Sequence, residues 1–191
     1  MPSAARSIDT AAFVPLRLNR SGVLPKVVLV LIGSLFLAAS AQITVPMIPV
    51  PMTMQTYAVL VIGALCGWRL GALTVMAYLA EASLGLPFFS NGAAGAIHLV
   101  GPTGGYLLGF VLAAGLMGWM AERGWTGAGF VRSNAALLLA HAVILAAGVL
   151  WLAVLVGPAQ ALAVGFTPFI LATVLKTALA YATIEAWRRS A

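Results

Sequence analysis

Long apolar runs, joined by short stretches that carry most of the charges, are the feature that most constrains the fold of this chain. Apolar residues make up 62% of the 191 positions and charged residues 7%, whereas soluble domains contain about 45 to 50% and about 25%. This composition predicts an all-α integral membrane protein, because helices satisfy their own backbone hydrogen bonds inside a bilayer. The runs cover residues 27–43, 57–66, 70–84, 106–121, 135–156 and 166–187.

The runs predict six transmembrane helices, with five as the alternative. A spanning helix needs about 17 to 25 residues, so the runs 57–66 and 70–84 are short and must include flanking residues. We expect residues 1–26 to form a cytoplasmic tail and residues 27–191 to form a single six-helix transmembrane domain.

The basic residues predict the orientation of the helices. In the six-helix arrangement, nine of the ten Lys and Arg residues lie on one side, and the opposite loops, 44–56, 86–105 and 157–165, contain no charged residue. Because cytoplasmic loops are enriched in Lys and Arg, both termini are predicted to be cytoplasmic. The net charge of +6 then reflects topology and not a nucleic-acid partner. The nine residues are Arg6, Arg17, Arg20, Lys26, Arg69, Arg123, Arg132, Arg188 and Arg189.

An alternative for the first run is a cleaved secretory signal. A basic leader, an apolar core and the sequence Ala39-Ser40-Ala41 resemble a signal peptide with its cleavage site. Cleavage would remove the first predicted helix, so the intact mass of the purified protein would distinguish the two cases.

The uncharged loops predict a pocket. Residues 45–52 contain three prolines, and residues 86–95 and 101–105 contain several Gly and Pro residues, so none of these segments can form a regular helix. They are also too apolar for ordinary exposed loops, and non-helical backbone at membrane depth is tolerated only where protein buries it or where it lines a cavity. We therefore expect the loops to fold over a ligand pocket. Short apolar turns at the surface are the alternative.

Glycines at four-residue spacing predict close helix packing. Small residues at this spacing let two helix backbones approach each other, and we expect this packing to occur within the chain. The two series are Gly63, Gly67 and Gly71, and Gly101, Gly105 and Gly109.

The sequence offers little for catalysis. It contains no Walker motif, which needs Gly-Lys-Ser or Gly-Lys-Thr, and no Gly-x-Ser-x-Gly nucleophile elbow. His98 and His141 share no helix face with a carboxylate, so both are assigned to packing or to the membrane interface. The single cysteine, Cys66, can form no internal disulfide. The sequence therefore predicts no catalytic residue, no metal site and no cofactor.

Lys176 lies inside the run 166–187, which is otherwise apolar enough to cross a bilayer. An ammonium group at membrane depth costs several kcal/mol unless something compensates it, so such a residue is a candidate for a functional site. Thr173, Lys176 and Thr177 share one helix face through their i, i+3, i+4 spacing, and we expect this face to point into the bundle. A bound ligand would compensate the charge, and an ion pair with Glu81 is the alternative.

Three motifs extend this interpretation. They are Pro49-Val-Pro-Met-Thr-Met-Gln55-Thr56, then Ala77-Tyr78-Leu-Ala-Glu81-Ala-Ser-Leu-Gly85-Leu-Pro87-Phe-Phe, then Gly101-Pro-Thr-Gly-Gly-Tyr106-Leu-Leu-Gly109-Phe110. In this order and at this spacing they resemble the BioY family, the biotin-specific S components of energy-coupling-factor (ECF) transporters. The resemblance runs from about residue 27 to the end of the chain and is most specific across residues 46–110.

The resemblance implies a multi-pass protein of the bacterial cytoplasmic (inner) membrane that is not an enzyme, binds biotin with high affinity and supports its uptake. The implied partners are a transmembrane coupling protein and cytosolic ATP-binding subunits, and a solitary transporter that forms a homo-oligomer is the alternative. The ligand could instead be a different vitamin-like molecule, taken up by an S component or a solitary transporter. A membrane enzyme acting on such a ligand and a purely structural assembly factor are the two remaining hypotheses.

The resemblance also implies site residues. Asn91 corresponds to a ligand-contacting position of the family, and Lys176 to its lysine in the sixth helix. Thr173 stands where the family usually has Asp, so a strong acceptor is lost while a hydroxyl remains. We expect Lys176 to make a charge-assisted contact, with the biotin carboxylate as the candidate. The expected ligand-binding residues are Lys176, Asn91, Thr173 and Gln55 for hydrogen bonds, Glu81, and Tyr78, Phe88, Phe89 and Tyr106 for the wall.

Overall fold

The computed structural model describes residues 14–16 and 22–190, which form a mostly helical structure. Within these residues five helices are long and apolar enough to cross a membrane: Val23–Gln42, Gln55–Ser83, Gly104–Glu122, Phe130–Val156 and Phe169–Ser190. The helices are α1 Val23–Gln42, α2 Gln55–Ser83, α3 Ile97–Val100, α4 Gly104–Glu122, α5 Phe130–Val156, α6 Pro158–Gly165 and α7 Phe169–Ser190. Two short strands, β1 Thr44–Val45 and β2 Met52–Thr53, pair in antiparallel fashion, and single 3-10 turns cover Ser90–Gly92 and Trp125–Gly127.

α2 reverses direction at Gly67, which has φ 78° and ψ 175°. A Cβ atom added at Gly71 would lie 3.0 Å from the Cα atom of Gly63, whereas residues eight positions apart in one straight helix are separated by about 12 Å along the axis. The backbone N–H of Trp68, at the start of the second arm, donates to Oε1 of Glu122 on α4 (3.2 Å). The two short predicted runs, 57–66 and 70–84, therefore correspond to the two arms of a helical hairpin.

The centre of the bundle is α4, which packs against both α2 and α5. Glycines allow this approach: a Cβ atom at Gly63 would lie 2.6 Å from the carbonyl oxygen of Ala114, and one at Gly109 would lie 3.0 Å from the Cα atom of Ile144. Packing within the chain, as predicted for the glycine series, is confirmed at these two positions. α1 packs on α2, and α7 packs on α2 and α5.

The outward surface of the bundle is apolar. Side chains on α1, α5 and α7 that point away from the core remain exposed, as expected for a surface in contact with lipid tails. Examples are Ile32, Leu35, Leu150, Val154, Leu171 and Leu175.

The two ends of the bundle differ. The loop end carries residues 43–54, 84–103 and 157–168, and the turn end carries the reversal at Gly67 and the connection 123–129. Leu16 also lies at the turn end, where its backbone N–H donates to the carbonyl oxygen of Leu65 (3.0 Å). Most of the predicted tail, including Arg6, Arg17 and Arg20, lies outside the described residues.

Three details differ from the sequence-based expectations. The loop 44–56 contains the strands β1 and β2, so the fold is not purely helical. The segment 157–165, expected to be a loop, contains α6, whose first residue, Pro158, is tolerated because the first turn needs no N–H donor. α1 begins at Val23, before the predicted start of the transmembrane domain at residue 27, because Pro25 also lies in a first turn.

Candidate ligand-binding site

A cavity of about 390 Å³ lies at the loop end. Its walls come from the loop 49–53, the loop 89–103 and the helices α2, α4, α5 and α7. Six of the nine predicted ligand-binding residues line it. They are Gln55, Phe89, Asn91, Tyr106, Thr173 and Lys176.

The buried ammonium group of Lys176 lies in this cavity. The residue is 8% exposed, and its Nζ atom donates a hydrogen bond to the backbone carbonyl oxygen of Thr53 on β2 (2.6 Å). Within residues 22–190 this is the one hydrogen bond of a group that carries three donors. Lys176 therefore ties α7 to the loop after α1 and keeps donors for a further partner.

Glu81 is not the partner of Lys176. It does not line the cavity, and its Oε2 atom is buried without a hydrogen-bond partner among the described residues. The ion pair considered for Lys176 is therefore not formed, and Glu81 lies outside the residues that line the cavity. The sequence could not exclude this pair, because whether Glu81 on α2 faces Lys176 on α7 depends on how the two helices pack.

Gln55 begins α2 and turns its amide toward the interior. Its Nε2 atom donates to the hydroxyl oxygen of Tyr78 (2.6 Å), which donates to the carbonyl oxygen of Phe88 (2.9 Å). The hydroxyl of Thr53 donates to Oε1 of Gln55 (3.0 Å). Tyr78 is fully buried, and neither Tyr78 nor Phe88 lines the cavity. Both are expected at the wall from the sequence, but they form the layer behind it, because the Tyr78 hydroxyl is used to hold Gln55 and the loop.

The loop that carries Asn91 is held by α1. Asn91 has φ 58°, a left-handed conformation that Asn tolerates better than most residues. Gln42 at the end of α1 contacts the loop twice: its Nε2 atom donates to the carbonyl oxygen of Phe89 (3.1 Å), and its Oε1 atom accepts from the N–H of Gly92 (3.1 Å). Gln42 is not identifiable from the sequence pattern.

Aromatic rings close two sides of the cavity. Phe89 packs edge-on against Tyr78, with ring centroids 5.9 Å apart. On the other side, Tyr106 stacks on Phe169 with centroids 5.9 Å apart, and its hydroxyl donates to the carbonyl oxygen of Gly165 (2.6 Å). Trp151 on α5 fixes the loop 89–103, because its Nε1 atom donates to the carbonyl oxygen of Gly101 (2.9 Å).

His141 on α5 is a further buried polar residue of the cavity. It is 1% exposed, and its Nδ1 atom lies 3.1 Å from the hydroxyl oxygen of Thr177. From the sequence, His141 is assigned to packing or to the membrane interface. Since both His141 and Thr177 lie in apolar runs, only their spatial proximity reveals the pair.

The arrangement suits binding more than catalysis. A buried cation, an amide, hydroxyl groups and an aromatic wall can fix the two ends of a small amphipathic molecule. Within residues 14–16 and 22–190, no three His, Cys, Asp or Glu side chains are grouped closely enough to hold a metal ion.

Comparison with known proteins shows the family of this chain. A family model described as BioY family matches residues 12–191. The chain belongs to the BioY family. Together with the apolar helices described above, membership makes it a multi-pass membrane protein.

Two relatives illustrate the similarity. The chain is 38% identical over 145 residues to a protein named biotin transporter BioY from Thermotoga maritima, and the matched region covers 75% of this chain and 84% of the relative. It is 36% identical over 148 residues to a probable biotin transporter BioY from Pyrococcus horikoshii, with 78% and 86% of the two chains covered.

A solved structure has the same fold. The crystal structure of the S-component for biotin from an ECF-type ABC transporter matches with a TM-score of 0.69 and 24% identity. The match covers 87% of this chain and 92% of that chain. The two proteins therefore share one fold over most of both chains.

Proposed function

We propose that this protein binds biotin and supports its uptake across the cytoplasmic membrane as the substrate-binding S component of an ECF-type transporter. The observation that carries the proposal is the buried Lys176 in a cavity at the loop end, in a chain of the BioY family. The relatives from Thermotoga maritima and Pyrococcus horikoshii are named biotin transporters, which supports biotin as the ligand. The protein acts as a transporter component and not as an enzyme.

The chemistry of the cavity supports biotin as the ligand. Its volume of about 390 Å³ lies within the range of about 300 to 1,000 Å³ that is usual for small-molecule sites. The fused rings and the aliphatic chain of biotin suit the aromatic and apolar wall. Lys176 would bind the carboxylate through a charge-assisted hydrogen bond, and Asn91, Thr173 and Gln55 would offer further hydrogen bonds.

The distribution of charge supports an orientation with both termini in the cytoplasm. Each arm of the α2 hairpin would then cross the membrane, which gives six crossing segments, with the residues up to 26 as a cytoplasmic tail and the loop end outside. Cytoplasmic ends are enriched in Lys and Arg. The described basic residues of the turn end are Lys26, Arg69, Arg123, Arg132, Arg188 and Arg189.

The proposed uptake is driven by an energy source outside this chain. No Walker motif occurs in the sequence, so a transmembrane coupling protein and cytosolic ATP-binding subunits are the proposed partners. Co-purification with an ATP-binding subunit would support this assembly. A homo-oligomer that transports without such a module is the alternative, and a different vitamin-like ligand is the alternative for the substrate.

Equilibrium binding of labelled biotin to the purified protein tests the ligand and the role of Lys176. We expect Lys176→Ala and Lys176→Met each to weaken binding by at least about tenfold, because a hydrogen bond to a charged group contributes about 1.5 to 3 kcal/mol. The matched control is Leu171→Ala on the same helix, since Leu171 is 70% exposed on the lipid side. The control should bind biotin as the native protein does.

Two results would contradict the proposal in different ways. Equal affinity of the native protein and both Lys176 variants would remove the role given to Lys176. A native protein that binds no labelled biotin would favour a different small ligand.

A further inference from the structure

A second, open groove lies at the turn end of the bundle and shares no lining residue with the ligand cavity. Its lining residues are Trp68, Gly115, Leu116 and Trp119, and its volume is about 330 Å³. Trp68 begins the second arm of α2, and the other three residues lie in the second half of α4. Both tryptophans are 43% exposed, so this tryptophan groove opens to the surroundings of the bundle.

Glycines of α4 give the tryptophan groove its shape. A Cβ atom added at Gly115 would lie 3.9 Å from the Cβ atom of Ala72 and would meet no closer atom, so the space over Gly115 is open. At Gly118 a Cβ atom would meet the backbone nitrogen of Trp68, which shows that α4 packs directly on the start of the second arm. An empty groove would forfeit dispersion contacts, so a component of the membrane is needed to fill it.

Two arginines place positive charge beside the tryptophan groove. The Cζ atom of Arg123 lies 3.6 Å from the ring centroid of Trp119, and that of Arg69 lies 5.0 Å from the ring centroid of Trp68. Arg123 also donates from Nη1 to the carbonyl oxygen of Trp119 (3.4 Å). Both arginines are exposed, and neither pairs with a carboxylate among residues 22–190. Because a guanidinium group has five N–H donors, most of these donors remain for an anionic partner.

The carboxylates of the turn end are engaged by the protein. Oε1 of Glu122 accepts from the backbone N–H of Trp68 (3.2 Å). Glu185 on α7 pairs with Arg188 (2.7 Å) and Arg189 (3.0 Å). These are the two acidic residues of the described turn end, which carries six basic residues. The field at the tryptophan groove therefore favours an anion.

This charge distinguishes between the possible occupants. A two-fold contact between two copies places the same patch on both sides, so it would bring four arginines together, and like charges that face each other are destabilising. A phospholipid with a net negative charge matches both features. Its acyl chain fills the apolar groove, and its phosphate accepts charge-assisted hydrogen bonds from guanidinium groups. Basic pockets between transmembrane helices are known to bind such headgroups.

We propose that the tryptophan groove binds one anionic phospholipid from the membrane leaflet at the turn end. The acyl chain lies along Gly115 and Leu116, and the phosphate contacts Arg69 and Arg123. The lipid site is separate from the site of the proposed ligand, because the groove and the cavity have no lining residue in common.

Native mass spectrometry of the purified full chain in detergent tests the headgroup selectivity. The protein is titrated with phosphatidylglycerol and, separately, with phosphatidylcholine that has the same acyl chains. One basic residue near a membrane surface strengthens the binding of anionic lipid by about fivefold, so phosphatidylglycerol should bind at least about tenfold more tightly. Arg123→Gln should reduce this preference by about fivefold, and the double variant Arg69→Gln/Arg123→Gln should abolish it.

Matched variants control for charge and for side-chain size. Arg132→Gln removes one charge at the same end of the bundle, and because Arg132 is exposed on α5 and does not line the groove, the preference should remain. Gly115→Leu fills the groove without a change of charge and should remove most of the bound phosphatidylglycerol. Ala146→Leu is the same enlargement at an exposed position of α5 and should bind the lipid as the native protein does.

Tryptophan fluorescence gives a readout on the native protein. In nanodiscs of phosphatidylcholine, a small fraction of brominated phosphatidylglycerol should quench the fluorescence more than the same fraction of brominated phosphatidylcholine, because the anionic lipid accumulates beside Trp68 and Trp119. Trp119→Phe should reduce this difference. Trp187→Phe is the control, since Trp187 is 40% exposed at the same end on α7, and it should retain the difference.

Three results would overturn the inference. Equal binding and equal quenching by the two lipids would show ordinary contact with the bilayer. An unchanged preference in Arg69→Gln/Arg123→Gln would place the anionic lipid elsewhere on the protein. A dimer that forms without bound lipid and dissociates in Gly115→Leu would assign the tryptophan groove to a second copy of this chain. None of these measurements involves biotin, so the proposed function would stand in each case.

Discussion

Gln42 shows how one side chain can organise the entrance to the cavity. It is the last residue of α1, and its amide bonds to the loop 89–92 through both of its ends. We expect Gln42→Ala to increase the rate of biotin dissociation by about fivefold or more, because two hydrogen bonds of about 0.5 to 1.5 kcal/mol each are lost. Stopped-flow or filter-based dissociation of labelled biotin measures this rate.

The control for Gln42 is Gln160→Ala. Gln160 lies exposed on α6 and does not line the cavity, so the same change in side chain should leave the dissociation rate unaltered. An unchanged rate in Gln42→Ala would show that the loop keeps its conformation without α1.

Single residues differ in how clearly the sequence reveals them. Lys176 is identifiable because a charge inside an apolar run is costly in any orientation. Gln42 and His141 are neutral, and a neutral polar side chain in a membrane helix can bond to a carbonyl of its own helix. The contacts that distinguish them join distant positions, such as His141 and Thr177 on separate helices, and these depend on packing that one sequence does not show.

At the scale of elements, the reversal of α2 depends on Gly67. A residue with φ 78° and ψ 175° occupies a region that is essentially restricted to glycine, and other residues there cost about 1 to 3 kcal/mol. A Cβ atom would also meet Oε1 of Glu122. We therefore expect Gly67→Ala to lower the free energy of unfolding by about 1 to 3 kcal/mol. The measurement is the unfolding temperature in detergent, which should fall.

A second glycine provides the control for this prediction. Gly115 on α4 is helical, and a Cβ atom there would lie 3.9 Å from the Cβ atom of Ala72, which is an ordinary contact. Gly115→Ala should therefore be neutral or slightly stabilising, because Ala favours the helix by about 1 kcal/mol. A Gly67→Ala variant as stable as the native protein would mean that α2 does not need this conformation.

The positions of the helices were largely predictable, because each long apolar run has the length and composition of a helix that must be buried in protein or lipid. Segments between the runs were less predictable. The strands β1 and β2 are two residues each, too short for an alternating pattern. α6 has eight residues and follows α5 after a single glycine, so its composition could not be distinguished from that of an apolar loop.

At the scale of the whole molecule, the cavity and most of the basic residues lie at opposite ends of the bundle. The cavity lies at the loop end, where the loops 44–56, 86–105 and 157–165 contain no charged residue, whereas the basic residues of the described chain other than Lys176 lie toward the turn end. The sequence indicates this asymmetry because it depends only on order along the chain. It could not indicate which loop residues face the cavity, since that depends on contacts such as the one between Lys176 and Thr53.

The asymmetry predicts the orientation in the membrane. Cys66 is the single cysteine and is buried, so Cys66→Ala gives a background without thiols for labelling by a membrane-impermeant maleimide. Ile48, which is 94% exposed at the loop end, is replaced by Cys in one variant, and Ser190 at the end of α7 in a second variant. In spheroplasts we expect Ile48→Cys to react and Ser190→Cys to react only after the membrane is permeabilised. The reverse pattern would place the loop end in the cytoplasm and would contradict the charge-based orientation, whereas labelling of both variants in intact spheroplasts would contradict the proposed number of crossing segments.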